Sequence, residues 1–366
     1  APTIAKAFPK MDRFSKIAPD YSVGISMASK RIAKYEAIND ENMKGWYTGD
    51  GMLYVQNSPY DFNQGYWHNV NFYKLPGTTV TTGVRNEKNL TLNILPNTDF
   101  VGSLAFEDYG VAAMQLLGVN GDFHTDLKAK KSWFIFDDEI VALGADINCS
   151  DSYDSLTIVE NRRLAADKVF YADGRGIEAN VGSLSNPKSL TFPGYGGIYF
   201  PTDTVLNFER VKNQEDFLEL WINHGQKVKE GSYAYVILPN KGRESTLSYA
   251  GNPDIEILAN SPKVQAVREN NLNISAYVFY SKGNFGNISV NKPCIVIVKE
   301  DAQGIRLSVC DPTQKANEIR ISLSGGSYEG KNLPCNVSLV KLGSCTNLHF
   351  RTADKSGLAT LVELEK

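Results

Sequence analysis

Runs that read as β-strands return roughly every eight to fifteen residues, separated by Gly, Asn, Asp and Pro, and this spacing constrains the fold more than any other feature. In "YSVGISMAS", Tyr21, Val23, Ile25 and Met27 fall on one side and small residues on the other, the period of two expected of a strand with one face packed. "KSWFIFDDEIVALGADI" reads as a hairpin turning at Asp137-Asp138, and "CIVIVKEDAQGIRLSVCDP" repeats the layout with its turn at Lys299 to Gly304. Further strands are predicted at Leu90–Leu95, Leu156–Val159, Gly197–Phe200, Ser232–Leu238, Ile274–Tyr280, Glu318–Leu323, Val337–Val340 and Ala359–Leu364. Helical spacing is confined to "SLAFEDYGVAAMQLLG" and "NQEDFLELWINHG", both short or interrupted. The chain is therefore expected to be all-β, built of packed antiparallel sheets.

A length of 366 residues exceeds what one hydrophobic core usually serves, so two domains are expected. Pro, Gly, Asn and Ser accumulate around "LPNKGRESTLSYAGNPDIEILANSPK", which predicts a division near residue 262: a larger domain at 1–262 and a β-sandwich at 263–366. Basic and acidic residues, 38 and 41, are interspersed with no Lys/Arg block, which argues against a nucleic-acid partner. No apolar run approaches the roughly 20 residues that span a bilayer. The opening "APTIAKAFPKM" lacks the layout of a signal peptide, so the expectation is either a cytosolic chain or one whose leader has been removed. The five cysteines show no C-x-x-C spacing and are expected to be buried free thiols, Cys335 and Cys345 being the two that could pair.

Several chemistries find no support. There is no G-x-S-x-G elbow, and His68, His124, His224 and His349 are too scattered for an H-E-x-x-H or paired-ligand zinc spacing. No metal and no cofactor is expected. His68, in "YWHNVNFY", reads first as a structural histidine, and "GYGG" at Gly194 to Gly197 as a strand-entry turn and not a phosphate loop.

The segment "KYEAINDENMKGWYTGDGMLY" differs from everything around it. Glu36 and Asn39 lie three apart, Glu41 and Asn42 follow, and Trp46, Tyr47 and Tyr54 surround glycine-rich turns. Amides that exchange hydrogen bonds with hydroxyls, beside ring faces that cover the apolar side of a pyranose, form a sugar-binding kit. The competing reading is a structured loop whose Asn and Asp satisfy their own backbone while Trp46 fills the core. Tyr60, Phe62, Trp67 and Phe72 are open to the same two readings, sugar platform or sheet core.

"FPKMDRF", "SMASKRIAKYEAINDENMKGWYTGDGMLY", "GYWHNVNFYKLPGTTV", "KKSWFIFDDEIVALGADI", "LWINHG" and "YAYVILP" resemble, in order and spacing, polysaccharide lyase family 8, which includes chondroitin AC, hyaluronate and xanthan lyases. The resemblance implies a large antiparallel β-supersandwich followed by a smaller C-terminal β-sandwich, without the helical α/α-toroid that precedes them in the family. It implies a secreted or periplasmic bacterial enzyme acting on an acidic polysaccharide by β-elimination. The catalytic tyrosine, histidine and asparagine would then lie on the helical half, possibly a separate chain. By the same resemblance Glu36 is a supporting carboxylate and Asn39 a substrate-facing amide of the catalytic centre, with Arg31 and Asn42 as substrate-binding neighbours. The acidic residues that bind a divalent cation before the "PG" block in some chondroitin lyases are replaced here by Asn71-Phe72-Tyr73-Lys74. A non-catalytic carbohydrate-binding module is the alternative from another class.

Overall fold

The computed structural model describes residues 2–87, 94–118, 123–164 and 168–366. Among these residues strands predominate, and their pairings are antiparallel. Strands β1 (Ile4–Phe8), β2 (Arg13–Ile17), β3 (Ser22–Ser26) and β4 (Met52–Gln56) form a four-stranded sheet in that order. After the short helix α1 (Gln64–Asn69) come β5 (Thr79–Thr81), β6 (Val101–Phe106), β7 (Tyr109–Leu117), β8 (Lys128–Ile135), β9 (Ile140–Asn148) and β10 (Asp154–Arg163). A nine-stranded sheet contains β9-β8-β7-β6 along one side, with Gly231–Pro239 next to β9. A five-stranded sheet pairs β10 with β5 and with Asp216–Gln226.

The nine-stranded sheet is buried on both faces, and this organises the molecule. Ala112, Met114, Leu116, Trp133, Ile135 and Ala142 pack with Phe14, Val23, Ile25 and Leu53 of the four-stranded sheet and Leu218, Leu220 and Ile222 of the five-stranded one. From the opposite face Val111, Ala113, Phe134, Val141, Leu143 and Val236 meet Val267, Ala276, Val278, Ile295 and Ile297 of a seven-stranded sheet. That sheet in turn packs, through Phe279, Val296, Leu307 and Val309, against Ile319, Ile321, Leu348 and Phe350 of a final five-stranded sheet. The stack agrees with the expected supersandwich followed by a smaller sandwich. Each large apolar side chain buried in these layers contributes about 1.5–3 kcal/mol of transfer free energy.

Double burial also explains two corrections. The segments expected to be helical are strands: Ser103–Gly118 makes most of the β6–β7 hairpin, and Asn213–Gly225 lies largely in Asp216–Gln226. Where both faces are buried the apolar residues run continuously and the period of two disappears. Among the described residues a longer helix, α2 (Arg243–Gly251), lies in the Pro-, Gly- and Ser-rich stretch read as a division; its only buried side chains are Thr246 and Tyr249, so it carries no apolar stripe.

The hairpins at Asp137-Asp138 and Lys299–Gly304 form as expected. The strand expected at Leu90–Leu95 falls mostly outside the described residues. The division expected near 262 falls in the turn between Ile255–Asn260 and Val264–Glu269, which pair with each other in the seven-stranded sheet. We propose that the division lies between α2 and Ile255, ahead of that pair. All five cysteines are free, Cys149, Cys294 and Cys310 buried and Cys335 exposed.

Candidate functional site

β3 and β4 are hydrogen-bonded neighbours, Ser26 opposite Met52, yet the chain between them travels from Met27 to Gly51. Long connections on a rigid sheet are where binding groups concentrate. This one lies on the outer face of the stack. Its own Tyr35, Ala37, Trp46 and Tyr47 pack with Met52, Tyr66, Leu75, Val80, Leu156, Ile158 and Phe217 into a separate apolar cluster. Trp46 and Tyr47 thus fill core.

The root of the loop is ionic and buried. Lys34 Nζ lies 2.7 Å from Asp50 Oδ1 and 3.0 Å from Oδ2, with neither side chain reaching solvent. Lys131, from the middle of β8, donates from Nζ to the carbonyls of Gly77 at 2.6 Å and Asp50 at 3.1 Å. Burial pushes the Lys131 ammonium down to about 7, a shift that the Asp50 charge opposes and the Lys34 charge reinforces. Arg85 adds a donor from Nε to the Tyr47 hydroxyl at 2.9 Å, its guanidinium also lying 3.7 Å from the centre of the Phe123 ring. The "GDG" and "PG" blocks owe their glycines to this knot. Gly51 has φ +82°, and a Cβ there would lie 2.5 Å from the Trp133 ring; Gly77 has φ +78°, and its Cβ would lie 2.6 Å from Leu53 Cβ.

The tip is the opposite in character. Glu41 N donates to Ile38 O at 2.9 Å, closing a two-residue turn whose central residues Asn39 and Asp40 have φ of 52° and 62°. Two successive left-handed residues define a type I′ turn, which Asn and Asp tolerate best after glycine. Asn42, also left-handed, donates from Nδ2 to the Glu36 carbonyl at 2.8 Å and so ties the turn back on itself. Glu36, Asn39, Asp40, Glu41 and Asn42 are all exposed.

The structure thus brings Glu36, Asn39 and Asn42 onto one exposed tip, the Asn42 amide donating within the loop. Arg31 stands apart from them. Its guanidinium reaches main-chain oxygens at the start of β6 and at residue 313, with Nη2 donating to Val101 O at 2.8 Å and Asp12 Oδ1 at 3.1 Å, and Nη1 to Asp99 O at 3.0 Å and Thr313 O at 3.4 Å. His68 is exposed, whereas His224 is largely buried, shares a 2.8 Å hydrogen bond with Thr157 Oγ1 and is held by burial down to about 4. Tyr60 is exposed, while Phe62, Trp67 and Phe72 are half-buried against the loop's apolar cluster. Lys74, in the Asn71-Phe72-Tyr73-Lys74 segment, pairs with Glu219 Oε2 at 2.6 Å.

Carboxylates do converge elsewhere. Glu139, Asp254 and Glu269 bring one oxygen each within 4.8 Å of one another, as do Asp137, Asp138 and Glu139. Burial and the neighbouring carboxylates push Glu139 up to about 9, and its Oε2 accepts no hydrogen bond among the described residues. Such an all-oxygen donor set has the chemistry that hard cations prefer. It includes the acidic turn read from sequence, but its convergence with Asp254 and Glu269 was not legible there. Neither was the buried Lys34–Asp50–Lys131 knot, whose one signal is a Lys within the apolar alternation of "KSWFIF".

Residues 3–250 match the family model described as polysaccharide lyase family 8, super-sandwich domain, and residues 256–320 match the family's C-terminal beta-sandwich domain. Over 93% of its length the chain is 32% identical to the xanthan lyase of Bacillus sp. (strain GL1), and over 88% it is 31% identical to the hyaluronate lyase HylB of Enterococcus faecalis. It covers 40% and 35% of those proteins, so it spans well under half the length of these curated relatives. The solved structure of a Paenibacillus xanthan lyase superposes on 99% of the chain with a TM-score of 0.91 at 32% identity, the chain covering 37% of that protein.

Proposed function

The chain belongs to polysaccharide lyase family 8, and we propose on that footing that it is the β-domain part of an extracellular lyase cleaving chondroitin or hyaluronan by β-elimination, together with a helical half. One observation carries the reading: the loop between β3 and β4 is buried and ion-paired at its root and presents Glu36 and Asn39 exposed on a fixed turn. Elimination removes the C5 proton of a uronic acid as the glycosidic bond leaves, and negative charge spreads onto the carboxylate. Donors placed where that charge develops lower the barrier. The Asn39 amide supplies such a donor. Glu36 acts as a positioning residue, holding a cationic or imidazole side chain of the helical half that closes over it. A tyrosine of that half serves as base and then acid. Asn42 holds the turn, and Arg31, through its bonds to Asp12, Asp99, Val101 and Thr313, fixes the start of the loop.

A second reading within the class is a xanthan lyase, favoured by the 32% identity and the TM-score of 0.91 to such enzymes. The test uses the complete protein, helical half included, on chondroitin, hyaluronan and xanthan, following the ultraviolet absorbance of the unsaturated product. The reading expects elimination on one of the three and a loss of about 100-fold or more for Asn39→Ala, the usual scale for removing one charge-stabilising donor. Full activity in Asn39→Ala and Glu36→Ala alike would remove the site assignment, and no elimination on any of the three polymers would remove the function.

A further inference from the structure

Beside the loop, the outer face of the first sheet holds a trough of about 510 Å³ lined by Phe8, Met11, Arg13, Ser15, Thr48 and Tyr54, among others. Strand alternation sets its floor. Ser15, Gly24 and Tyr54 stand opposite one another across β2, β3 and β4, while Phe14 and Ile25 point the other way into the core. Gly24 lies beneath Tyr54, a Cβ at that position falling 3.6 Å from Tyr54 Cβ and 3.8–3.9 Å from the ring, so the ring packs directly on the strand next to it. Tyr54, like any tyrosine a neutral hydroxyl at ordinary pH, is pushed further up to about 12 by burial, against the opposing charge of Arg13.

Arg13 stands at the head of this floor, paired with Phe8 and Ser26 across the strands. One end of its guanidinium is fixed: Nη1 donates to the carbonyls of Met27 at 2.6 Å, Met11 at 3.1 Å and Asp12 at 3.2 Å. Among the described residues no hydrogen bond leaves Nε or Nη2, and the one carboxylate whose charge reaches this arginine, that of Asp12, is buried and engaged by the Ser29 hydroxyl and the Arg31 guanidinium. A guanidinium held at one corner by main-chain oxygens, its remaining donors free beside a concave surface, is pre-organised for an anion with two oxygens. Lys6, on the same face of β1 and exposed, adds a second positive charge. An aromatic ring beside the cation suits a ligand that has a flat apolar face as well as a charge.

We propose that the trough is a subsite for a uronate residue of the polysaccharide, with the sugar carboxylate on the free donors of Arg13 and the pyranose face against Tyr54. The proposal rests on the lyase reading for the presence of a uronate, and it adds a binding residue outside the loop that carries Glu36 and Asn39.

The test is calorimetric titration of the 366-residue chain with oligosaccharides of hyaluronan, chondroitin and xanthan, and with the same oligosaccharides after reduction of their carboxyl groups to alcohols. Two variants accompany it, with thermal unfolding as the folding control. Arg13→Gln removes the charge, and Ser15→Glu leaves Arg13 in place but sets a competing carboxylate in the trough. The expected result is binding of at least one acidic oligosaccharide, weakened tenfold or more by carboxyl reduction and by each folded variant. Unchanged affinity in Ser15→Glu, equal affinity for the reduced oligosaccharide, or no binding to the wild-type chain overturns the proposal. Elimination by the complete protein in any of those cases leaves the lyase reading standing, so the two failures are distinguishable.

Discussion

The two ends of the loop between β3 and β4 are built on opposite principles. At the root, Lys34, Asp50 and Lys131 are removed from water and answer one another's charges; at the tip, Glu36, Asn39 and Asn42 are in water on a turn of left-handed residues. On the proposed reading the root bears on stability and the tip on recognition. The most conspicuous part of the segment in sequence, "GWYTGDGM", is the anchor, and the exposed groups proposed to meet a ligand come from the plainer "EAIND" before it.

The largest expected effect lies at the root. Asp50→Ala leaves Lys34 buried without its carboxylate, which typically costs about 3–5 kcal/mol; the expected readout is a correspondingly lower denaturation midpoint, and a loss below about 1 kcal/mol would mean that the pair does not anchor the loop. Next comes a dependence on pH. The Lys131 ammonium is lowered in the folded chain to about 7 from 10.5, so between those values the unfolded chain binds a proton that the folded chain does not. Its contribution to stability therefore rises with pH across that window, by at most about 1.4 kcal/mol per unit. Lys131→Met should lose that rise relative to wild type when unfolding free energies at pH 7 and pH 9 are compared, whereas parallel curves would contradict the buried-lysine account.

The smallest effect on stability belongs to the tip. Asn39→Gly keeps a residue at ease with positive φ, so its unfolding free energy should change by less than about 0.5 kcal/mol. Elimination by the complete protein should nevertheless fall by about 100-fold, since the amide donor is gone. A variant with reduced stability and intact activity would reverse the assignment of root and tip.

The same contrast explains which features are legible in the sequence. Strands with one wet face, such as β3, and hairpins bounded by acidic turns, such as Asp137-Asp138, announce themselves by alternation. β7 and Asp216–Gln226 do not, because these strands are covered on both sides where they lie in their sheets, and their apolar residues lose the period that distinguishes strand from helix. Helix α2 escaped notice for the converse reason, burying only Thr246 and Tyr249. At the candidate site the exposed polar residues could be picked out because carboxylates and amides in a turn are visible locally. The Lys34–Asp50–Lys131 knot joins residues far apart in the chain, and so do the contacts of Arg31 with Asp99, Val101 and Thr313. Neither leaves a local pattern.

The central claim is that the exposed tip is half of a cleft whose proton-transfer groups lie on a helical half. Measuring formation of the unsaturated product with the purified 366-residue chain, alone and as part of the complete protein, tests it most directly. The account predicts little or no product from the chain alone and sustained elimination from the complete protein. Turnover by the isolated chain at a rate comparable to that of the complete protein would contradict it.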